Sequence, residues 1–92
     1  MTQDKTVTVI GAGVMGPGIS QVFASNGFRV RLCDVNVEAL ESARKMITMN
    51  LGVMRDLKLI DDAAIMSIND RITTDADVEE SLSDTQIVVE AV

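Results

Sequence analysis

Three glycines and one aspartate carry the chemistry that can be read from this chain. Gly11, Gly13 and Gly16 fall as G-x-G-x-x-G, with a fourth, Gly18, two residues further on. They follow the short β-branched run Val7–Thr8–Val9–Ile10 with no spacer. A glycine loop leading from a strand into a helix lets backbone N–H groups approach a pyrophosphate. The helix points its positive dipole end at the same anion. In that arrangement Gly11 permits the tight turn out of the strand, a side chain at Gly13 would block the phosphate, and Gly16 lets the helix pack closely. Asp34 follows Gly13 by 21 residues and closes the run RVRLCD. An acid about 20 residues beyond such a loop accepts hydrogen bonds from the ribose hydroxyls of a dinucleotide. It would also repel a 2′-phosphate, and no arginine occurs in Val35–Asn36–Val37, so the pattern favours NAD over NADP. FAD and S-adenosylmethionine sites share parts of this pattern, although FAD sites more often end the second strand on Glu.

Other chemistry is missing. There is no histidine, the commonest group for proton transfer near neutral pH. Tryptophan and tyrosine are absent as well, which removes the usual stacking platforms for nucleic-acid bases. Cys33 is a single cysteine within a strand pattern and reads as a small buried residue, with nothing nearby to stabilise a thiolate. No metal site is assigned.

The elements that must position the loop follow from pattern. Strand one is expected over 5–10, buried on both faces as in a parallel sheet. Helix one should run from Val14 to Asn26, with Pro17 in its first turn and Gly27 just past its end. Strand two covers Arg29–Asp34. Asn36 is a plausible N-cap for a helix of about 20 residues. Its apolar stripe is Val37, Leu40, Ala43, Ile47, Leu51 and Met54. A break at Lys58–Ile60 precedes Asp61, a second N-cap, and a short helix to about Asn69. Residues 36–69 thus read as a helical hairpin. Strand three falls at Arg71–Thr74. Asp77–Val78–Glu79–Glu80 resembles a capping box opening a short helix. Strand four is the apolar run Gln86–Val92, interrupted by Glu90. This order, without hairpin turn signals, indicates an α/β fold with a parallel sheet of about four strands.

Composition sets outer bounds. Ninety-two residues allow one domain, and a hydrophobic fraction of 47% suits a packed sheet rather than a disordered chain. A net charge of −6 argues against nucleic acid as a partner. The charge is uneven: residues 1–58 carry seven Lys/Arg against five Asp/Glu, while 59–92 carry one against nine. The slightly basic half holds the loop, as suits an anionic ligand, although a solvated acidic face on the second half reads equally well. No run of 18 apolar residues is present to span a membrane. Too few residues precede strand one for a signal peptide, so a cytoplasmic setting is expected.

VIGAGVMGPGIS, RVRLCDVN, the hairpin and RITTDADVEESLSDTQIVVEAV together resemble the NAD-binding region of 3-hydroxyacyl-CoA dehydrogenases, over nearly the whole chain. The most specific parts are G-A-G-x-M-G-x-G-I, the V-V-E-A-V strand and the 37-residue step from Asp34 to Arg71. Related β-hydroxyacid dehydrogenases share the G-x-M-G loop but usually reach strand three sooner.

The resemblance implies a partial Rossmann fold, a doubly wound parallel sheet with the hairpin inserted between strands two and three. It implies that Gly11, Ala12, Gly13, Val14, Met15 and Gly16 cradle the NAD pyrophosphate and that Asp34 binds the adenosine ribose. Glu90, Ala91 and Val92 would lie near the nicotinamide end. Glu90 otherwise reads as a surface residue at a strand end. In this family the hairpin also contacts coenzyme A, and the best-matched positions lie near Asn50 and Lys58; Arg55 and Lys58 would be the charges to meet its phosphates. The bland reading, the solvated face of an amphipathic helix, is the stronger one from the residues alone. Pro17 and Ser20 depart from the family pattern in ways that look tolerable. The family's catalytic His and Glu, and its helical dimerisation domain, match nothing up to Val92. The chain is therefore expected to be a cofactor-holding portion, inactive alone, of an enzyme of fatty-acid metabolism acting on acyl-CoA. The alternatives are a stand-alone nucleotide-binding or assembly module, or a related NAD(P) β-hydroxyacid dehydrogenase. In the order 3-2-1-4-5-6 strand four is central. Here it is expected to be an unprotected edge, which favours homo-oligomers through 86–92.

Overall fold

A computed structural model describes residues 5–83 and 85–91. The chain runs β1 (Thr6–Ile10), α1 (Gly16–Ser25), β2 (Arg29–Cys33), α2 (Val37–Asp56), α3 (Asp62–Arg71), β3 (Ile72–Asp75), α4 (Val78–Ser81) and β4 (Ile87–Glu90). All strand pairs are parallel, in the order β3-β2-β1-β4. No helix among the described residues is long and apolar enough to cross a membrane.

Register explains the layers. Val7 is aligned with Val30 and Ile87, and Val30 with Ile72; Val9 is aligned with Leu32 and Val89. Because strand side chains alternate between faces, these residues share one face. They form the core with Ala24 of α1, Leu40, Ala43, Ile47 and Leu51 of α2, and Ile68 of α3. Each such burial stabilises the fold by roughly 1.5–3 kcal/mol for the larger side chains. Of the stripe read on α2, Leu40, Ala43, Ile47 and Leu51 are buried and Met54 packs against them, whereas Val37 at the helix start is exposed. The opposite sheet face meets α4. There Thr8, fully buried, donates its Oγ1 hydrogen to the Ser81 carbonyl at 2.8 Å, and Arg31 Nη1 donates to the same oxygen at 3.2 Å.

The three expected helix starts are each capped by a side chain. Asn36 Oδ1 accepts from the N–H of Glu38 and Ala39, Asp61 Oδ1 from Ala64, and Asp77 Oδ1 from Glu80. At α4 the return bond of a capping box is made otherwise, since the Asp77 N–H donates to Asp75 Oδ1 at 2.9 Å.

Several boundaries shift. α1 begins at Gly16, not Val14, because the helix is pinned where Gly16 crosses the Gly11 carbonyl. The Ser20 hydroxyl, expected to be tolerable, is buried with no partner among the described residues. The hairpin extends past Asn69 to Arg71, whose guanidinium donates to the Ala24 carbonyl at 3.0 Å and satisfies the last turn of α1. β4 spans only Ile87–Glu90 and is half exposed, with Val88 48% exposed, because among the described residues it has a neighbour on one side only.

α2 ends in a Schellman motif. The Leu59 N–H bonds to the Met54 carbonyl at 2.9 Å and the Lys58 N–H to the Arg55 carbonyl at 2.8 Å. This places Lys58 at φ 62°, a left-handed conformation that glycine adopts without steric cost. Lys58→Gly is expected to raise stability by about 1 kcal/mol, seen as a higher urea midpoint with unchanged slope.

Candidate functional site

The chain leaves β1 for β2 and β3 on one side of the sheet, then returns to place β4 on the other. The carboxyl ends of β1 and β4 therefore flank a switch point, the place where open α/β sheets bind ligands. The glycine loop rises from the end of β1 at this point. Gly11 takes φ 104°, as expected for the turn.

Hydrogen bonding divides the loop in two. The Gly11 N–H donates to the Cys33 carbonyl at 2.8 Å, and the Ala12 N–H donates to Asp34 Oδ2 at 2.9 Å. The N–H groups of Gly13, Val14, Met15, Gly16 and Gly18 have no acceptor among the described residues. Pro17, between them, has no N–H to satisfy. No side chain caps α1. These five donors at a helix N-terminus make a site for an anion.

The glycines differ in kind. A Cβ built on Gly13 meets no atom within 4 Å, so the space above it is open for a ligand. A Cβ on Gly16 would overlap the Gly11 carbonyl oxygen and lie 3.3 Å from Leu32 Cδ1, so its bareness serves packing. Val14 and Met15 are exposed at 91% and 62%. Two apolar side chains standing free on the loop suit a surface that a ligand covers. Ala12 differs from the residues that follow it: its amide faces Asp34 and its methyl group is buried, so its N–H is already paired.

Asp34 lies one residue past β2, not at the strand's end as expected. Its Oδ1 accepts the Asn36 N–H at 2.9 Å in an Asx turn, and its Oδ2 accepts that of Ala12. Each oxygen keeps acceptor capacity for a hydroxyl. The bonds from Ala12 and Asn36 hold the carboxyl below an aspartate's ordinary pKa. Asp75 is likewise lowered, by the Asp77 N–H and then the Ser81 hydroxyl. A carboxyl with a depressed folded-state pKa stabilises the fold above its unfolded pKa and loses that contribution as pH falls through the folded value. Stability is therefore expected to fall below about pH 4. Asp34→Asn with Asp75→Asn should flatten that acid limb of a urea-midpoint curve.

Glu90 is exposed and aligned with Ile10, and the Ala91 N–H donates to the Ile10 carbonyl at 2.8 Å. Both residues thus sit beside the start of the loop. Val92 lies outside the described residues. Cys33 is fully buried, and burial pushes its thiol up, as a structural cysteine requires.

The hairpin positions are not gathered into one site. Asn50 Nδ2 donates to Gln21 Oε1 at 3.4 Å, tying α2 to α1. Arg55 is paired with Asp62 at 3.2 Å and Asp56 at 3.6 Å. Arg55 and Lys58 line an open cleft of about 580 Å³ with Leu59, Ile60, Asp61 and Ala64, and Asn50 is not part of it.

The family model for the 3-hydroxyacyl-CoA dehydrogenase NAD-binding domain matches residues 6–92. This chain belongs to that family. A probable 3-hydroxyacyl-CoA dehydrogenase of Caenorhabditis elegans is 38% identical over all of this chain and 31% of its own length. A probable 3-hydroxybutyryl-CoA dehydrogenase of Bacillus subtilis is 36% identical over 96% of this chain and 30% of its own. Among solved structures, (S)-3-hydroxybutyryl-CoA dehydrogenase from Ralstonia eutropha superposes with a TM-score of 0.90 at 29% identity. It covers 97% of this chain and 31% of that one. The chain thus spans about a third of the length of the curated relatives it matches. NAD is the cofactor of this domain family, and the residues present fit it: free amides, open space at Gly13 and a ribose-ready carboxylate at Asp34.

Gly18, which the sequence offers without a role, brings a further N–H group to the same end of α1. The Asp-x-Asn spacing was the available signal that one Asp34 oxygen would turn back to the chain.

Proposed function

We propose that this chain is the NAD-holding portion of an (S)-3-hydroxyacyl-CoA dehydrogenase, which converts a 3-hydroxyacyl-CoA to a 3-oxoacyl-CoA. The observation that carries this reading is the row of N–H groups from Gly13 to Gly18 without acceptors among the described residues, set between Asp34 just past β2 and Ala91 just past β4. NAD⁺, when bound, supplies the hydride acceptor. The loop amides of Gly13, Val14, Met15, Gly16 and Gly18 hold the pyrophosphate, and Asp34 takes the adenosine ribose. Glu90 and Ala91 border the nicotinamide end. Arg55 and Lys58 at the hairpin tip, with Asn50, meet coenzyme A. No residue here is a histidine, and we assign no proton acceptor among residues 1–92.

The setting we assign is fatty-acid β-oxidation in the cytoplasm, although mammalian relatives are named mitochondrial. Fractionation of the source cells decides this point. The free side of β4, with Val88 exposed, is where a second copy would add, and light scattering at high concentration would then show a dimer. For function, the purified chain is titrated with NADH and assayed with NAD⁺ and 3-hydroxybutyryl-CoA. We expect saturable binding without turnover. Absence of binding would remove the reading, and turnover would place the proton acceptor within this chain.

A further inference from the structure

We propose that Asp34 is a positioning residue for the glycine loop as well as a ribose ligand: its carboxylate clamps the loop in the shape that presents the anion-binding amides. The inference deepens the NAD reading and rests on it.

A carboxylate beside an anion site is unfavourable on electrostatic grounds alone, since it repels the pyrophosphate it stands near. The hydrogen bonds show what offsets this. Asp34 Oδ1 accepts the Asn36 N–H at 2.9 Å, which fixes the rotation of the carboxylate. Asn36 is itself fixed, because its side chain caps α2 through the N–H groups of Glu38 and Ala39. The other oxygen, Oδ2, accepts the Ala12 N–H at 2.9 Å. A continuous path of bonds therefore runs from the start of α2 through Asp34 to the loop. One residue earlier, the Gly11 N–H is held by the Cys33 carbonyl at 2.8 Å. At the far end of the loop Gly16 rests on the Gly11 carbonyl. Both ends of the loop are thus fixed, and Gly13, Val14 and Met15 between them are exposed, with no acceptor for their N–H groups among the described residues. Without the carboxylate, the Ala12 N–H would lose its acceptor in a buried residue, and the loop would turn to find another. The amides beyond it would then no longer converge.

The test uses a probe that has no ribose. Inorganic pyrophosphate is titrated against wild type, Asp34→Ala and Asp34→Asn by calorimetry, with NADH as a parallel ligand. Loss of a negative charge by itself can only strengthen pyrophosphate binding. The clamp requires the opposite, a weakening of at least 3-fold in Asp34→Ala, with Asp34→Asn recovering part of it through its remaining acceptor oxygen. Pyrophosphate binding in Asp34→Ala equal to or tighter than wild type, with NADH alone weakened, would reduce Asp34 to a ribose ligand and overturn the proposal. Amide hydrogen exchange gives a ligand-free readout. The Ala12 amide should exchange at least 10-fold faster in Asp34→Ala, while the Val9 amide in β1 stays protected as a control on folding. Unchanged exchange at Ala12 overturns the clamp whatever the titrations give. Wild type that binds neither NADH nor pyrophosphate would instead overturn the NAD reading beneath it.

Discussion

Gly16→Ala is expected to destabilise the chain by more than about 3 kcal/mol, against a total of about 5–15 kcal/mol for a domain of this kind. The obstacle to the new methyl group is backbone, the carbonyl oxygen of Gly11. Gly11 cannot yield, because it holds φ 104° and its N–H is bonded to the Cys33 carbonyl. Leu32 Cδ1, the next neighbour, belongs to a fully buried core side chain. Relief requires α1 to lift from β1 and β2, opening the core at Val9 and Leu32. Alanine's better helix propensity works in the other direction but offers only about 1 kcal/mol. Urea unfolding measures the difference. A midpoint equal to that of wild type would contradict the packing described for the start of α1.

Gly13→Val should do the reverse. Its backbone is not in the left-handed region, and nothing stands within 4 Å of the added Cβ. The free chain should keep its stability within about 0.5 kcal/mol, as for other exposed substitutions. NADH affinity should fall at least about 100-fold, near 2.7 kcal/mol, because the new side chain occupies the space the pyrophosphate needs. Two glycines three residues apart therefore serve different ends. Calorimetric titration and thermal unfolding of the two variants side by side separate the roles. Retained NADH binding in Gly13→Val would place the phosphates elsewhere.

Much of this was legible in the sequence, for particular reasons. Asn36, Asp61 and Asp77 announced helix starts because short polar side chains bond to their own downstream N–H groups. The α2 stripe was legible because every one of its core positions is apolar at helical spacing. The element order gave a parallel sheet, and Asp34 turned a glycine pattern into a dinucleotide site. Other features depend on contacts between distant segments. Arg71 looked like a strand residue, yet it ends α3 because its guanidinium reaches the Ala24 carbonyl. Lys58 hid a left-handed cap that a glycine would have signalled. The apolar run of β4 does not itself reveal exposure, because burial of a strand depends on its neighbours; the expected edge is seen, with one neighbouring strand among the described residues. Within the site, glycine spacing could not reveal which loop amides are already paired and which are left without an acceptor. That division comes from the Asp34 carboxylate and the Cys33 carbonyl across the loop.

The most direct test of the account follows each backbone amide of the ¹⁵N-labelled chain by NMR as NADH is added. The expected result is a saturable one-to-one response centred on Gly13, Val14, Met15, Gly16 and Gly18, with Asp34 and Ala91 moving along the same binding curve. A response confined to the hairpin of α2 and α3, or no saturable response at the glycine loop, would contradict it.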